Sequence, residues 1–211
     1  VKFLFEYLFD YYNHFEVIIL TGITEIDGGV VTATEPKTDY QVQLPLAPAT
    51  YSTGTWTVSE SSNVYFVTRT TAAAQHYYVV PIIMPARTTA DKGAKLKSVK
   101  MVVTFGGTID TAADDTEINI IKVTMPADGG APVGSVLAGD VGSDYGSTYD
   151  TKAKRLVAGT HTFTVTIPTN EQVFMNSGEQ LYARFMVKDN ANADLTCVLK
   201  GAIATFDVNA L

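Results

Sequence analysis

Hydrophobic and polar residues alternate with two different periods along this chain. In the opening stretch Lys2, Glu6, Asp10, Asn13 and Glu16 recur every three or four positions, which gathers them on one side of a helix. Phe5, Leu8, Phe9, Tyr12 and Phe15 fill the opposite side. The spacing predicts an amphipathic, aromatic helix or arm over residues 1–20. So apolar a stripe demands a covering surface, either its own domain or a neighbouring subunit.

Residues 21–54 read as an extended connector. Gly28-Gly29, Pro36, Pro45 and Pro48 interrupt short strand pieces such as Tyr40 to Leu44, because proline is confined to strand edges and turns. From Thr55 the period becomes two. Strands are expected at Thr55–Ser59, Val64–Arg69, His76–Met84, Lys95–Phe105, Glu117–Met125, Thr160–Ile167, Gln180–Lys188 and Asp194–Val208. His161, Phe163, Val165 and Ile167 share one face of their strand while four threonines take the other. Leu181, Ala183, Phe185 and Val187 likewise oppose Tyr182, Arg184, Met186 and Lys188. Such alternation belongs to antiparallel sheet with one face buried. In the last strand the apolar parity slips: Leu195, Cys197, Leu199 and Ile203 are odd, Phe206 and Val208 even, so Gly201 or Ala204 is expected at a bulge.

The pattern predicts an all-β domain over residues 55–211, a two-sheet antiparallel sandwich. A jelly roll is preferred over an immunoglobulin-like sandwich, because several connections exceed hairpin length and no Cys/Trp/Cys pattern is present.

Composition narrows the function. Hydrophobic residues are 46% and charged residues 18% of the chain, which is globular rather than disordered. The net charge of -7 argues against nucleic acid, whose phosphates call for a basic face. Glu6, Asp10 and Glu16 interrupt the apolar opening stretch, so neither a membrane span of ~20 residues nor a secretory apolar core is expected there. The single cysteine, Cys197, alternates with Leu195 and Leu199 and reads as a buried hydrophobe.

Catalytic groupings are weak. His14, His76 and His161 lie on separate elements, with no metal-ligand spacing. Gly142-Ser143-Asp144-Tyr145-Gly146 lacks the spacing of a nucleophile elbow. The acidic stretch Asp110, Asp114, Asp115, Glu117 and the alternating Asn190, Asn192, Asp194 raise the question of calcium, but lack the turn glycine and distal glutamate of a calcium loop. Asp and Asn are ordinary turn formers. No catalytic residue, metal ligand or cofactor is therefore assigned. Tyr145 and Tyr149, set among Gly, Ser and Asp in Gly139 to Asp150, have the composition of a surface recognition loop.

The stretches AKLKSVKMVVTF (Ala94 to Phe105), EINIIKVT (Glu117 to Thr124), GTHTFTVTIP (Gly159 to Pro168) and LYARFMVK (Leu181 to Lys188) together resemble jelly-roll sandwiches of bacteriophage and other virus structural proteins. The resemblance covers Thr55 to Val208 and rests on strand rhythm and Thr/Gly/Ala-rich composition. It implies a capsid, decoration or fibre component of the virion that forms a homo-oligomer, contacts other virion proteins and has no active site. The alternative is a carbohydrate-binding or adhesin module in which Tyr145, Tyr149 and Trp56 face sugar rings, although Trp56 alternates with Val58 and so is placed in the core.

Overall fold

The computed structural model describes residues 23–27, 30–33, 37–46, 51–61, 64–83, 94–126, 128–172, 178–190 and 194–209. The stripe Phe5, Leu8, Phe9, Tyr12 and Phe15 lies outside the described residues. The described strands are β1 (Ile23–Asp27), β2 (Val30–Ala33), β3 (Lys37–Leu44), β4 (Tyr51–Thr53), β5 (Trp56–Ser61), β6 (Val64–Arg69), β7 (Gln75–Ile82), β8 (Ala94–Gly106), β9 (Asp115–Thr124), β10 (Val133–Ala138), β11 (Gly159–Thr166), β12 (Glu179–Lys188) and β13 (Thr196–Asn209). Two short helices, α1 (Gly146–Tyr149) and α2 (Lys152–Arg155), lie between β10 and β11.

Strand pairing follows a nested order. From β6 onward the first strand pairs with the last (β6 with β13), the second with the second-last (β7 with β12), then β8 with β11 and β9 with β10, all antiparallel. This is one long antiparallel ribbon rolled on itself, and the roll is closed by β13 on β8 and β12 on β9. The two sheets that result run β10-β9-β12-β7-β4 and β11-β8-β13-β6-β5, with β3 beside β13. That order is the eight-stranded jelly roll, widened at its margins by β3, β4 and β5. The strand pieces expected within the connector thus belong to the sandwich: β3 pairs with β13 and places Leu44 in the core, while β4 pairs with β7. β1 and β2 pair with each other and join neither sheet.

The core fills the space between the sheets. Tyr78, Val80 and Ile82 from β7, Ile118 and Ile120 from β9, and Leu181, Ala183, Phe185 and Val187 from β12 come from one side. Phe163 and Val165 of β11 and the inward rows of β8 and β13 come from the other. Each such side chain contributes roughly 1.5–3 kcal/mol by leaving water. The inward row of β13 is Leu199 and Cys197 on odd positions, then Ala202, Ala204 and Phe206 on even ones, because the register shifts between Leu199 and Gly201. Ile203 therefore falls on the outer face, two residues beyond the switch, against the odd parity expected for it. β8 makes the matching slip between Leu96 and Val99, where its register with Thr205 and Phe206 shifts. The freed Lys97 carbonyl there accepts the Ile167 amide at 2.8 Å. Trp56 bridges the layers: its ring meets Tyr78 edge-on at 5.3 Å, and its indole N–H donates to the Tyr77 carbonyl at 3.0 Å.

Candidate functional site

The connections β6–β7, β8–β9, β10–β11 and β12–β13 meet at one end of the roll, and most of the buried polar side chains sit there. β10 leaves the sheet at Gly139, whose φ of 100° is in the glycine-favouring region; a Cβ there would run into the Ile118 carbonyl. Beyond this point β9 would lose its partner. Tyr145 takes over: its hydroxyl accepts the Ile118 amide at 2.6 Å and lies 3.0 and 3.1 Å from the Ile118 and Gly139 carbonyls, to which it can donate. Asp144 accepts the Gly139 amide at 2.6 Å. Arg155 stacks on the Tyr145 ring at 4.5 Å and donates to the carbonyls of Thr116 and Tyr149 at 3.1 Å each.

The stretch read as a tyrosine-bearing recognition loop is therefore a side-chain plug on the β9 edge. Tyr145 is 5% exposed, and its phenol is pushed up to about 12, mainly by burial. Tyr149 is half-buried, edge-on to Phe163 at 4.8 Å and to His161 at 6.1 Å. Trp56 is packed against the core. Tyr145 is thereby closed to a sugar ring, while Tyr149 and Trp56 are partly buried.

A buried ion pair ties the neighbouring loops. Arg69 donates to Asp189 at 3.3 Å and to the Leu195 carbonyl at 2.8 Å, and also reaches the carbonyls of Ala72 and Ala74. Asp189 in turn accepts the Leu195 amide at 3.1 Å. His76, 5% exposed, lies against this pair, and its pKa is lowered by burial first and by Arg69 second, with Asp189 opposing. The acidic stretch is used for wiring: Asp114 accepts the amides of Asp110 and Asn190 at 2.8 and 2.9 Å. Among the described residues no group of three or more His, Cys, Asp or Glu is placed to hold a metal ion. Arg69 escaped notice in the sequence although it stands two positions after Val67, on the same inward parity. A charge on a core face was the available signal.

Two features face outward. On the outer face of the β9-β12-β7 sheet, Arg184 lies over the Tyr77 ring at 5.0 Å and donates to Asn119 at 2.9 Å. Beside them Glu117 has its carboxyl raised, by burial first and then by Asp115. Elsewhere, large apolar side chains lie open at Val58, Val64 and Tyr65 on the β5–β6 hairpin and at Met125, Val133 and Val136 beside and on β10. On the surface Lys97 is paired with Asp39 at 2.6 Å.

No protein-family model and no curated protein matches this chain. Solved structures do. The winged bean acidic lectin complexed with methyl-α-D-galactose is 12% identical over 82% of this chain and 99% of the lectin, with a TM-score of 0.39. A family two carbohydrate esterase from Cellvibrio japonicus is 11% identical over 83% of this chain and 36% of the esterase, at 0.36. The infectious bursal disease virus Gx strain structure is 12% identical over 88% of this chain and 36% of that chain, at 0.32. The chain thus spans little more than a third of the esterase and viral chains. The resemblance to virus jelly-roll proteins is distant, and it is shared with sugar-binding sandwiches.

Proposed function

We propose that this chain is a structural subunit of a virus-type particle and works by associating with copies of itself and with other coat components. What supports the reading is one contrast on the molecule's surface. The polar groups at the loop end are largely spent on internal contacts, with Tyr145, Arg155, Arg69 and Asp189 sealing strand edges and loops. The apolar side chains of β10 and the β5–β6 hairpin face outward without cover. A protein whose job is contact has this distribution, since exposed apolar patches mark association surfaces. The aromatic stripe Phe5, Leu8, Phe9, Tyr12 and Phe15 supplies a second contact in this proposal. Light scattering on size-separated full-length protein across a dilution series tests it. An oligomer that survives dilution into the low micromolar range, and that weakens when residues 1–20 are removed, is the expected result. A monomer at every concentration overturns the reading.

One observation favours a second reading, a carbohydrate-binding module. Tyr77, Arg184 and Glu117 set an aromatic ring beside hydrogen-bonding groups on the outer sheet face, the combination that recognises a sugar's apolar and hydroxylated sides. Glycan-array binding that disappears in Tyr77→Ala and Arg184→Ala would establish it.

A further inference from the structure

We infer that β10 is a seam at which two copies of this chain join, strand edge to strand edge, about a two-fold axis. The inference rests on the proposed self-association and assigns it a place. Among the described strands β10 pairs only with β9, so the backbone donors and acceptors along its other side face outward. Residues 131–136 are all exposed, with Val133 at 65% and Val136 at 42%. Met125, 57% exposed, follows Thr124, the register partner of Val133, and extends the apolar strip.

Sheet edges are ordinarily guarded by charge, proline or extreme shortness, because an open edge is a template for another strand. Three of the other margins carry such guards: β5 has Glu60, β3 has Asp39 and β4 has three residues, while β11, which is uncharged, has Tyr149 of the preceding segment packed against its His161 and Phe163. β10 has none. From Gly129 to Gly139 the chain holds no charged residue, Pro132 precedes the strand, and the register shift falls at its end, between Val136 and Ala138.

Given self-association, charge fixes where two copies can meet. The molecule carries -7, so two copies repel wherever their acidic surfaces meet, and an uncharged strip is where they can approach. An antiparallel strand is also its own complement: a two-fold axis across β10 pairs it with itself and merges two five-stranded sheets into one, which gives the isologous contact that closes a dimer.

Cysteine scanning of the full chain tests this. The native thiol, Cys197, is buried with its pKa pushed up by that burial, so it does not compete. Gly134→Cys, Ser135→Cys and Val136→Cys are made singly; at Gly134 a Cβ meets only side-chain methyls at 3.9 and 4.0 Å. Facing residues of an antiparallel pair sit about 4.5–5.5 Å apart at Cα, inside the ~4.4–6.8 Å that a disulfide spans. Mild oxidation is expected to give a covalent dimer for at least one of the three and none for Thr162→Cys on β11. Val136→Lys is expected to weaken association at least about tenfold with an unchanged far-ultraviolet circular dichroism spectrum. A wild-type oligomer that neither cross-links at β10 nor responds to Val136→Lys overturns the seam and leaves the self-association reading standing. A wild-type monomer overturns both.

Discussion

Tyr145 does with one hydroxyl what a strand does with a row of amides. β10 departs at Gly139 while β9 still has a backbone N–H and C=O to satisfy at Ile118, and the phenol serves both. Tyr145→Phe keeps the ring under Arg155 and strands those groups, so a loss of about 1–3 kcal/mol is expected, read as a lower urea midpoint. The phenol's pKa is pushed up in the fold to about 12, above its ordinary value of 10.0, mainly by burial. Its contribution is therefore complete below pH 10 and is lost as pH rises toward 12, and the phenylalanine variant should lack this alkaline step. His76 runs the other way. Burial and the Arg69 charge hold its pKa below 6.5, so below that pH the unfolded chain takes up a proton that the folded one refuses. Melting temperature should fall between pH 7.5 and 6, and fall less in His76→Gln. Glu117, whose carboxyl is raised by burial first and then by Asp115, acts in the opposite sense as pH falls, and Glu117→Gln is the control that separates the two.

At the scale of elements, the period-two pattern reports strands whose one face is core and fails where a partner decides the conformation. β8, β9, β11, β12 and β13 were readable because Val99, Ile118, Phe163, Phe185 and Phe206 belong to long alternating rows on one inward face. The bulge near Gly201 was readable from the same rows, though the switch precedes Ile203. β10 was missed: VGSVLA is exposed along most of its length and has no inward row to betray it. Tyr145, in the Gly139 to Asp150 stretch, turns inward for a related reason. The composition of the stretch is that of a solvent loop, and only the vacated edge of β9, 27 residues earlier in the chain, turns Tyr145 inward. Gly139 is the hinge of this arrangement. Gly139→Ala combines a positive φ with a collision at the Ile118 carbonyl, and at least about 1–3 kcal/mol of destabilisation is expected. A larger loss of Tyr145 burial, seen as increased tyrosine quenching, should accompany it. The site was legible only as residue types: the sequence offered Arg69 and Asp189, but not that they meet across 120 positions.

For the whole molecule, the balance between a net charge of -7 and a few uncharged strips sets the conditions for association. Copies that meet along apolar, uncharged edges still bring their acidic surfaces within reach of one another. That repulsion is long-ranged at low salt, where the screening length is about 30 Å at 0.01 M, and falls to about 10 Å at 0.1 M. The apolar contact itself is not weakened by salt. Raising sodium chloride from 10 to about 300 mM should therefore strengthen association, measured as a shift of the sedimentation-velocity distribution to larger species at fixed protein concentration. An assembly held by cross-subunit ion pairs would respond in reverse and dissociate. Lowering pH toward the isoelectric point near 4.9 removes the same repulsion, but it also favours the unfolded chain, where His76 takes up a proton that burial and the Arg69 charge disfavour in the fold. Salt and acid thus separate two effects that a single pH scan would mix. If acid lowers the melting temperature while salt drives association, and the salt response is the same in His76→Gln, the contact surface and the buried Arg69–Asp189 end are independent parts of the molecule. Association that is lost at high salt would place charged side chains, not the β10 edge, at the centre of the contact.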